Sequence, residues 1–143
     1  MFSSQLIGIG TTRLRRMSGP SPTPTVLTVI DLTCGQVVWV NLSSVAGSEQ
    51  AGRRPAVIVS SDDYLGSIPN VVIVLPVTTR DRRLPNHVRL RGVTGLNESH
   101  SFAMTEQPRT VDRRRISKTA GRVDAATLAE IRSWLADFLQ LHS

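Results

Sequence analysis

The sequence predicts a mainly β domain, a small barrel or sandwich, with a C-terminal helix. Three observations carry this. Between residues 35 and 116, short runs rich in Val and Ile recur, bounded by Gly, Pro, Asn, Asp or Ser. Several short strands at such spacing build a small barrel or sandwich. Near the C-terminus the apolar period lengthens to that of a helix.

Taken in order, residues 1–25 look unlike the rest. They hold Arg13, Arg15 and Arg16, then three prolines within 20–24. Proline cannot donate to a sheet ladder, so a flexible arm is expected, and Met17 is a candidate later start. Residues 26–32 (VLTVIDL) can add an edge strand. Overall, 1–33 is read as the arm and 34–143 as the domain. Strands are expected at 37–42 (VVWVNL), 55–60 (PAVIVS) and 71–78 (VVIVLPVT), with a polar loop over 43–53. The alternating 86–90 (NHVRL) reads as half-exposed, and 101–106 and 109–116 as two further strands. Asp124 can cap the final helix, because its carboxylate accepts the free N–H groups of a first turn. Leu128, Ile131, Trp134, Leu135, Phe138 and Leu139 fall on one helical face, expected to pack on the core; Glu130, Ser133, Asp137 and Gln140 fall opposite.

The 143 residues suffice for one domain, and 40% of them are hydrophobic, enough for a real core. The longest apolar run, 71–77, is seven residues and contains Pro76, far from the roughly 20 needed to span a bilayer. No basic, then apolar, leader opens the chain, so a cytoplasmic protein is expected. Cys34 is the only cysteine, which excludes an intramolecular disulfide. With three histidines (His87, His100, His142) and no metal-ligand spacing, no metal and no cofactor are expected. Seventeen Arg and Lys against eleven Asp and Glu leave a formal charge of +6, and sixteen of the cations are Arg. Arg is suited to bidentate phosphate contacts, so the balance points to a polyanionic partner or to a plain solvated surface.

Three clusters can carry chemistry. In 47–55 (GSEQAGRRP) a polar loop brings Arg53 and Arg54 to the mouth of a strand stiffened by Pro55. They can hold a phosphate, or simply be solvated. In 76–83 (PVTTRDRR) the hydroxyls of Thr78 and Thr79 emerge beside Arg80, Arg82 and Arg83, able to meet a nucleic-acid backbone or to cap a strand. In 105–115 (TEQPRTVDRRR) Gln107 can bond a base edge or ribose, and Arg109 and Arg113 to Arg115 form phosphate contacts or a basic face.

Together and in this order, the pieces resemble the MazF/PemK family of toxin ribonucleases. The resemblance covers most of 35–141 and is most specific over 35–60 (GQVVWVNLSSVAGSEQAGRRPAVIVS). VVIVLPVTT, LPNHVRL, TGLNESHSFAMTEQPRTVDRRRI and GRVD before the helix follow. Cys34 and Gln36 stand where the family usually has a basic residue and Asp, and the arm has no family counterpart.

The resemblance implies a small SH3-like barrel of the CcdB/PemK type. It also implies cleavage of single-stranded RNA, messenger RNA above all, by attack of the ribose 2′-OH, leaving 2′,3′-cyclic phosphate and 5′-OH ends. Arg54 and Thr78 are then the central pair, with Thr78 preferred to Thr79 by alignment. Guanidinium stays protonated far above neutral pH, so Arg54 is read as a charge stabiliser rather than a base. Glu49 is the candidate proton acceptor, or orients Arg54, or forms a plain salt bridge. Ser48, Gln50, Arg53, Thr79, Arg80, Arg82, Arg83, Gln107 and Arg109 are the implied RNA contacts. His87, in P-x-H-V, is expected to be structural or peripheral. The family's homodimer and its co-encoded acidic antitoxin are the implied partners. Two rivals share the fold: a CcdB-like gyrase-poisoning toxin, and a catalytically silent RNA-binding barrel.

Overall fold

The computed structural model describes residues 31–43, 52–96 and 100–141. The chain divides into Met1–Asp31 and Leu32–Ser143, and every element below belongs to the second unit. The expected arm and most of the expected strand at 26–32 lie outside the described residues; so do Ser48, Glu49, Gln50 and His142.

Seven described strands form an antiparallel sheet: β1 (Gln36–Asn41), β2 (Arg53–Ile58), β3 (Val71–Thr78), β4 (His87–Arg89), β5 (Phe102–Met104), β6 (Arg109–Asp112) and β7 (Ile116–Arg122). A short helix α1 (Asp62–Ser67) links β2 to β3, and α2 (Ala125–Leu139) ends the fold. The sheet runs β4-β5-β3-β2-β1-β7, with β6 also on β3. β3 therefore serves two partners: Val71 to Val74 pair with β6, and Val77 and Thr78 with β5. The mainly β fold with a C-terminal helix is as expected; the sheet is not closed, because the end strands β4 and β7 do not pair with each other.

The central strands are buried on both faces, which is why they read as near-continuous apolar runs. Val37, Val57, Leu75 and Val77 join Val88, Leu90, Ala103 and the helix residue Ile131 in one cluster. The alternate residues Val38, Val40, Ala56, Ile58, Val72 and Val74 build a second with Leu65, Val111 and Ile116. Asp124 caps α2 as expected, its Oδ1 accepting from the Thr127 amide at 2.8 Å and hydroxyl at 2.6 Å.

Three features differ from expectation. β2 begins at Arg53, two residues early, because Arg53 and Arg54 continue the ladder opposite Asn41 and Val40. The strand expected over 109–116 breaks after Asp112, whose side chain accepts from the Arg114 amide and caps a 3-10 turn at Arg113–Arg115. The chain then turns into β7, an edge strand that is mostly exposed and so lacks apolar alternation. Finally, the apolar face of α2 is only partly covered. Ile131 is buried, whereas Phe138 and Leu139 are 47% and 57% exposed. With Leu135, Thr105, Glu106 and Pro108 they line an open hollow of about 200 Å³. No described helix is long and apolar enough to cross a membrane.

Candidate functional site

The site lies where β2 begins and β3 ends. β1 and β2 are held in register by Val37 against Val57 and Val40 against Arg54, and β3 by Pro76 against Ala56. Carried two residues further, the β2–β3 register sets Arg54 against Thr78, the last residue of β3. Side chains two apart on a strand share a face, so Arg54, Ala56, Pro76 and Thr78 point the same way. Arg53 falls on the opposite parity of β2. Thr78, the last residue of β3, shares the Arg54 face, whereas Thr79 lies beyond the strand.

On that face a hollow of about 470 Å³ opens. Pro76 and Met104 contribute its apolar lining. Leu42, Ser43 and Gly52 form one wall, and Arg54, Gln107 and Arg109 bring the polar groups. Arg54 is exposed and pairs with no carboxylate among the described residues, so its charge is available to an anion. Thr78 is half-buried; its Oγ1 accepts from the Arg80 amide at 3.1 Å, which leaves the hydroxyl proton free to donate. The undescribed loop that carries Ser48, Glu49 and Gln50 leaves from Ser43 and returns at Gly52, both on the rim of this hollow.

The base of that loop is firmly tied. The Leu42 amide donates to the Gly52 carbonyl at 2.9 Å. Arg109 Nη2 donates to the Leu42 carbonyl at 3.2 Å, and Arg115 Nη1 to the Asn41 and Ser43 carbonyls at 3.1 and 2.6 Å. The basic run after β6 is therefore largely structural. Arg113 donates to the Leu65 and Ile68 carbonyls, and Arg114 pairs with Asp112 at 3.0 Å. Arg80, Arg82 and Arg83 are exposed on the segment after β3, where Asp81 accepts from the Arg83 amide at 2.9 Å.

Beside the hollow lies a polar cluster. Glu106 Oε1 accepts from Asn86 Nδ2 at 2.7 Å; Oε2 is 3.1 Å from both His87 Nε2 and Gln107 Nε2. Burial pushes the Glu106 carboxyl up, but the hydrogen bonds from His87, the backbone and Gln107, with the charge of His87, outweigh it. The net shift is below the ordinary carboxylate range. His87 is buried and its Nδ1 has no hydrogen-bond partner among the described residues. His100 is exposed.

The structure brings Arg54, Gln107 and Arg109 to one hollow and Thr78 to the same sheet face. It sets Arg53 on the opposite face of β2. Reading the sequence did not single out Asn86, Glu106 or Gly52, and it offered Arg115 as a phosphate contact or part of a basic face, not as a tie to the Asn41 and Ser43 carbonyls. The adjacency of Glu106 to Gln107 is the one signal that pointed to the polar cluster. Among the described residues, no group of three or more His, Cys, Asp or Glu side chains can hold a metal ion.

Residues 33–139 match the sequence profile described as PemK-like, MazF-like toxin of type II toxin-antitoxin system. The chain is 32% identical over 111 residues to Endoribonuclease MazF of Staphylococcus saprophyticus, covering 76% of this chain and 92% of that protein. It is 33% identical over 114 residues to Endoribonuclease MazF9 of Mycobacterium tuberculosis, covering 76% and 97%. Its fold is similar to the MazE-MazF crystal structure (form II) from Deinococcus radiodurans. That match has a TM-score of 0.66 and 30% identity, over 79% of this chain and 99% of the other.

Proposed function

The chain belongs to the PemK-like, MazF-like toxins of type II toxin-antitoxin systems, and from that premise we propose that it is an endoribonuclease whose catalytic pair is Arg54 and Thr78. The observation that carries the reading is the hollow at the β2 mouth, where a guanidinium that pairs with no carboxylate among the described residues shares a sheet face with the Thr78 hydroxyl.

The substrate is single-stranded RNA, messenger RNA above all. The ribose 2′-OH attacks the adjacent phosphorus, the bond to the 5′ oxygen breaks, that oxygen takes a proton from water or from the group that accepted the 2′-OH proton, and 2′,3′-cyclic phosphate and 5′-OH ends remain. Charge builds on the nonbridging oxygens as the phosphorane forms. Arg54 meets it with two parallel N–H donors, and Thr78 donates one O–H. Guanidinium does not give up its proton near neutral pH, so the 2′-OH proton goes elsewhere, with Glu49 as the acceptor in this reading. In this reading the step runs without a metal ion or cofactor, Arg54 and Thr78 meeting the charge on the nonbridging oxygens. Gln107 and Arg109, with Ser48, Gln50, Arg53, Thr79, Arg80, Arg82 and Arg83, hold the strand.

Residues 34–143 are the toxin domain in this reading and 1–33 an arm outside it, supported by a family match that starts at residue 33. We take the protein to be a cytoplasmic homodimer neutralised by an acidic antitoxin, a reading supported by the MazE-MazF pairing in the Deinococcus radiodurans structure.

The test is cleavage of a mixed single-stranded RNA pool in the presence of a chelator, with the new ends identified. Wild-type protein is expected to leave cyclic phosphate and 5′-OH ends. Arg54→Ala and Arg54→Lys are each expected to lose about 100-fold or more, because an ammonium cannot reproduce the forked contact. A lysine variant within a few-fold of wild type removes the proposed role of Arg54. An inert wild type that blocks gyrase supercoiling in a parallel assay replaces the whole reading with the gyrase-poison rival.

A further inference from the structure

The cluster beside the hollow fixes which way one amide faces. An ionised carboxylate has acceptors only, so every neighbour must turn a proton toward Glu106. His87 therefore carries a hydrogen on Nε2, and Gln107 presents its Nε2 rather than its Oε1 to Glu106. The same Gln107 nitrogen lies 3.7 Å from Met104 Sδ, a weak acceptor for its second proton. What Gln107 has left is its side-chain carbonyl oxygen, on a residue that lines the hollow with Arg54 and Arg109. Glu106 is itself anchored: Asn86 Nδ2 holds Oε1, and the Asn86 carbonyl accepts from the buried Thr105 hydroxyl at 2.7 Å.

We propose that the Gln107 carbonyl oxygen reads the exocyclic amino group of one RNA base and so selects adenine or cytosine against uracil, with Glu106 as the positioning residue that sets this polarity. This rests on the RNA-cleavage reading of the hollow. A glutamine whose amide is free to turn by half a revolution accepts either a donor or an acceptor on the base. Glu106 removes that freedom. Uracil carries the O4 carbonyl where cytosine carries its N4 amino group and adenine its N6, and an oxygen facing an oxygen leaves both without a partner. His87 and Asn86 keep the Glu106 carboxylate in place, which gives the buried His87 a part in base choice without contact to RNA.

The experiment maps base preference at every position around the cut, using a randomised RNA pool. Wild type, Gln107→Leu and Glu106→Gln are compared. Wild type is expected to favour adenine or cytosine over uracil at one position by roughly 3- to 10-fold, the worth of one hydrogen bond. Both variants are expected to flatten the preference at that position and leave the others unchanged, a pattern that general loosening of the fold does not give. Replacing the favoured base by an analogue without its amino group (purine for adenine, 2-pyrimidinone for cytosine) is expected to slow wild type by the same factor and Gln107→Leu not at all. The proposal is overturned if Gln107→Leu alters no position, if the altered position prefers uracil, or if Glu106→Gln keeps the full preference. Should Glu106→Gln fail to fold, the exposed Gln107 variant and the analogues still decide. Wild-type protein that cuts no RNA takes down the nuclease reading as well, whereas normal cutting with unaltered preferences overturns this inference alone.

Discussion

A Cβ added at Gly52 would come within 2.4 Å of the Ser43 Cβ and 2.7 Å of the Asn41 Oδ1. Both neighbours belong to the chain that walls the hollow, so a methyl group there has to push the wall. Gly52→Ala is expected to cost about 1–3 kcal/mol of stability, as overpacking does, and to cut RNA cleavage by more than the unfolded fraction explains. Thermal unfolding beside a cleavage assay at a temperature where the variant is folded checks this; full activity in the folded variant contradicts it. The residue scale also shows why legibility differed across the site. Arg54 and Thr78 were readable because each sits at a strand end beside turn residues, and strand parity then puts them on one face. Glu106 was not. Its role comes from Asn86 and His87, some twenty residues away in the chain, and only strand pairing brings them together.

The central strands and the terminal helix, which bury a face along their length, were read correctly, whereas the short helix α1 and the edge strand β7 were missed. β3 was legible to the residue because both its faces are buried. β7 (ISKTAGR) was not, because an edge strand pairs through backbone groups that every residue carries. The helix cap was legible because its chemistry is local. Hydrogen bonds from the Thr127 hydroxyl and amide hold the Asp124 carboxyl below its ordinary range, with slight opposition from burial and help from the charge of Arg91. A carboxyl depressed in the folded state adds stability above its unfolded value and loses it as pH falls through the folded one. Asp124→Ala is therefore expected to lower the unfolding midpoint at neutral pH. The gap to wild type should narrow once the pH falls below about 4. A gap that stays constant into acid would mean that the ionised carboxylate is not what caps the helix. The apolar stripe of α2 was read from the same local periodicity, yet periodicity does not say what lies opposite its last turn. Phe138 and Leu139 prove to face an open hollow.

For the whole molecule, charge makes a prediction that no single residue does. A formal charge of +6, carried mostly by arginine, should make RNA binding fall with salt as counterions return to the phosphates. A 2′-O-methyl RNA lacks the nucleophile and so allows binding to be measured without cleavage. Neutralising three phosphates on a single strand corresponds to a loss of roughly 20-fold in affinity between about 50 and about 200 mM salt. Affinity that does not respond to salt would remove the electrostatic role assigned to Arg54, Arg109 and the arginines after β3.

The sequence by itself determined the quantities that are local or additive: the net charge, the central strands, the terminal helix with its cap, and the ordered motifs that carry the family. Tertiary structure alone decided what depends on register and distance. It turned Arg113, Arg114 and Arg115 to carbonyls and a carboxylate of their own chain, split Arg53 from Arg54, and joined Glu106 to Gln107, Asn86 and His87. The physical reason is that a hydrogen bond needs atoms within about 3 Å, and the chain reveals that separation only once its strands have paired.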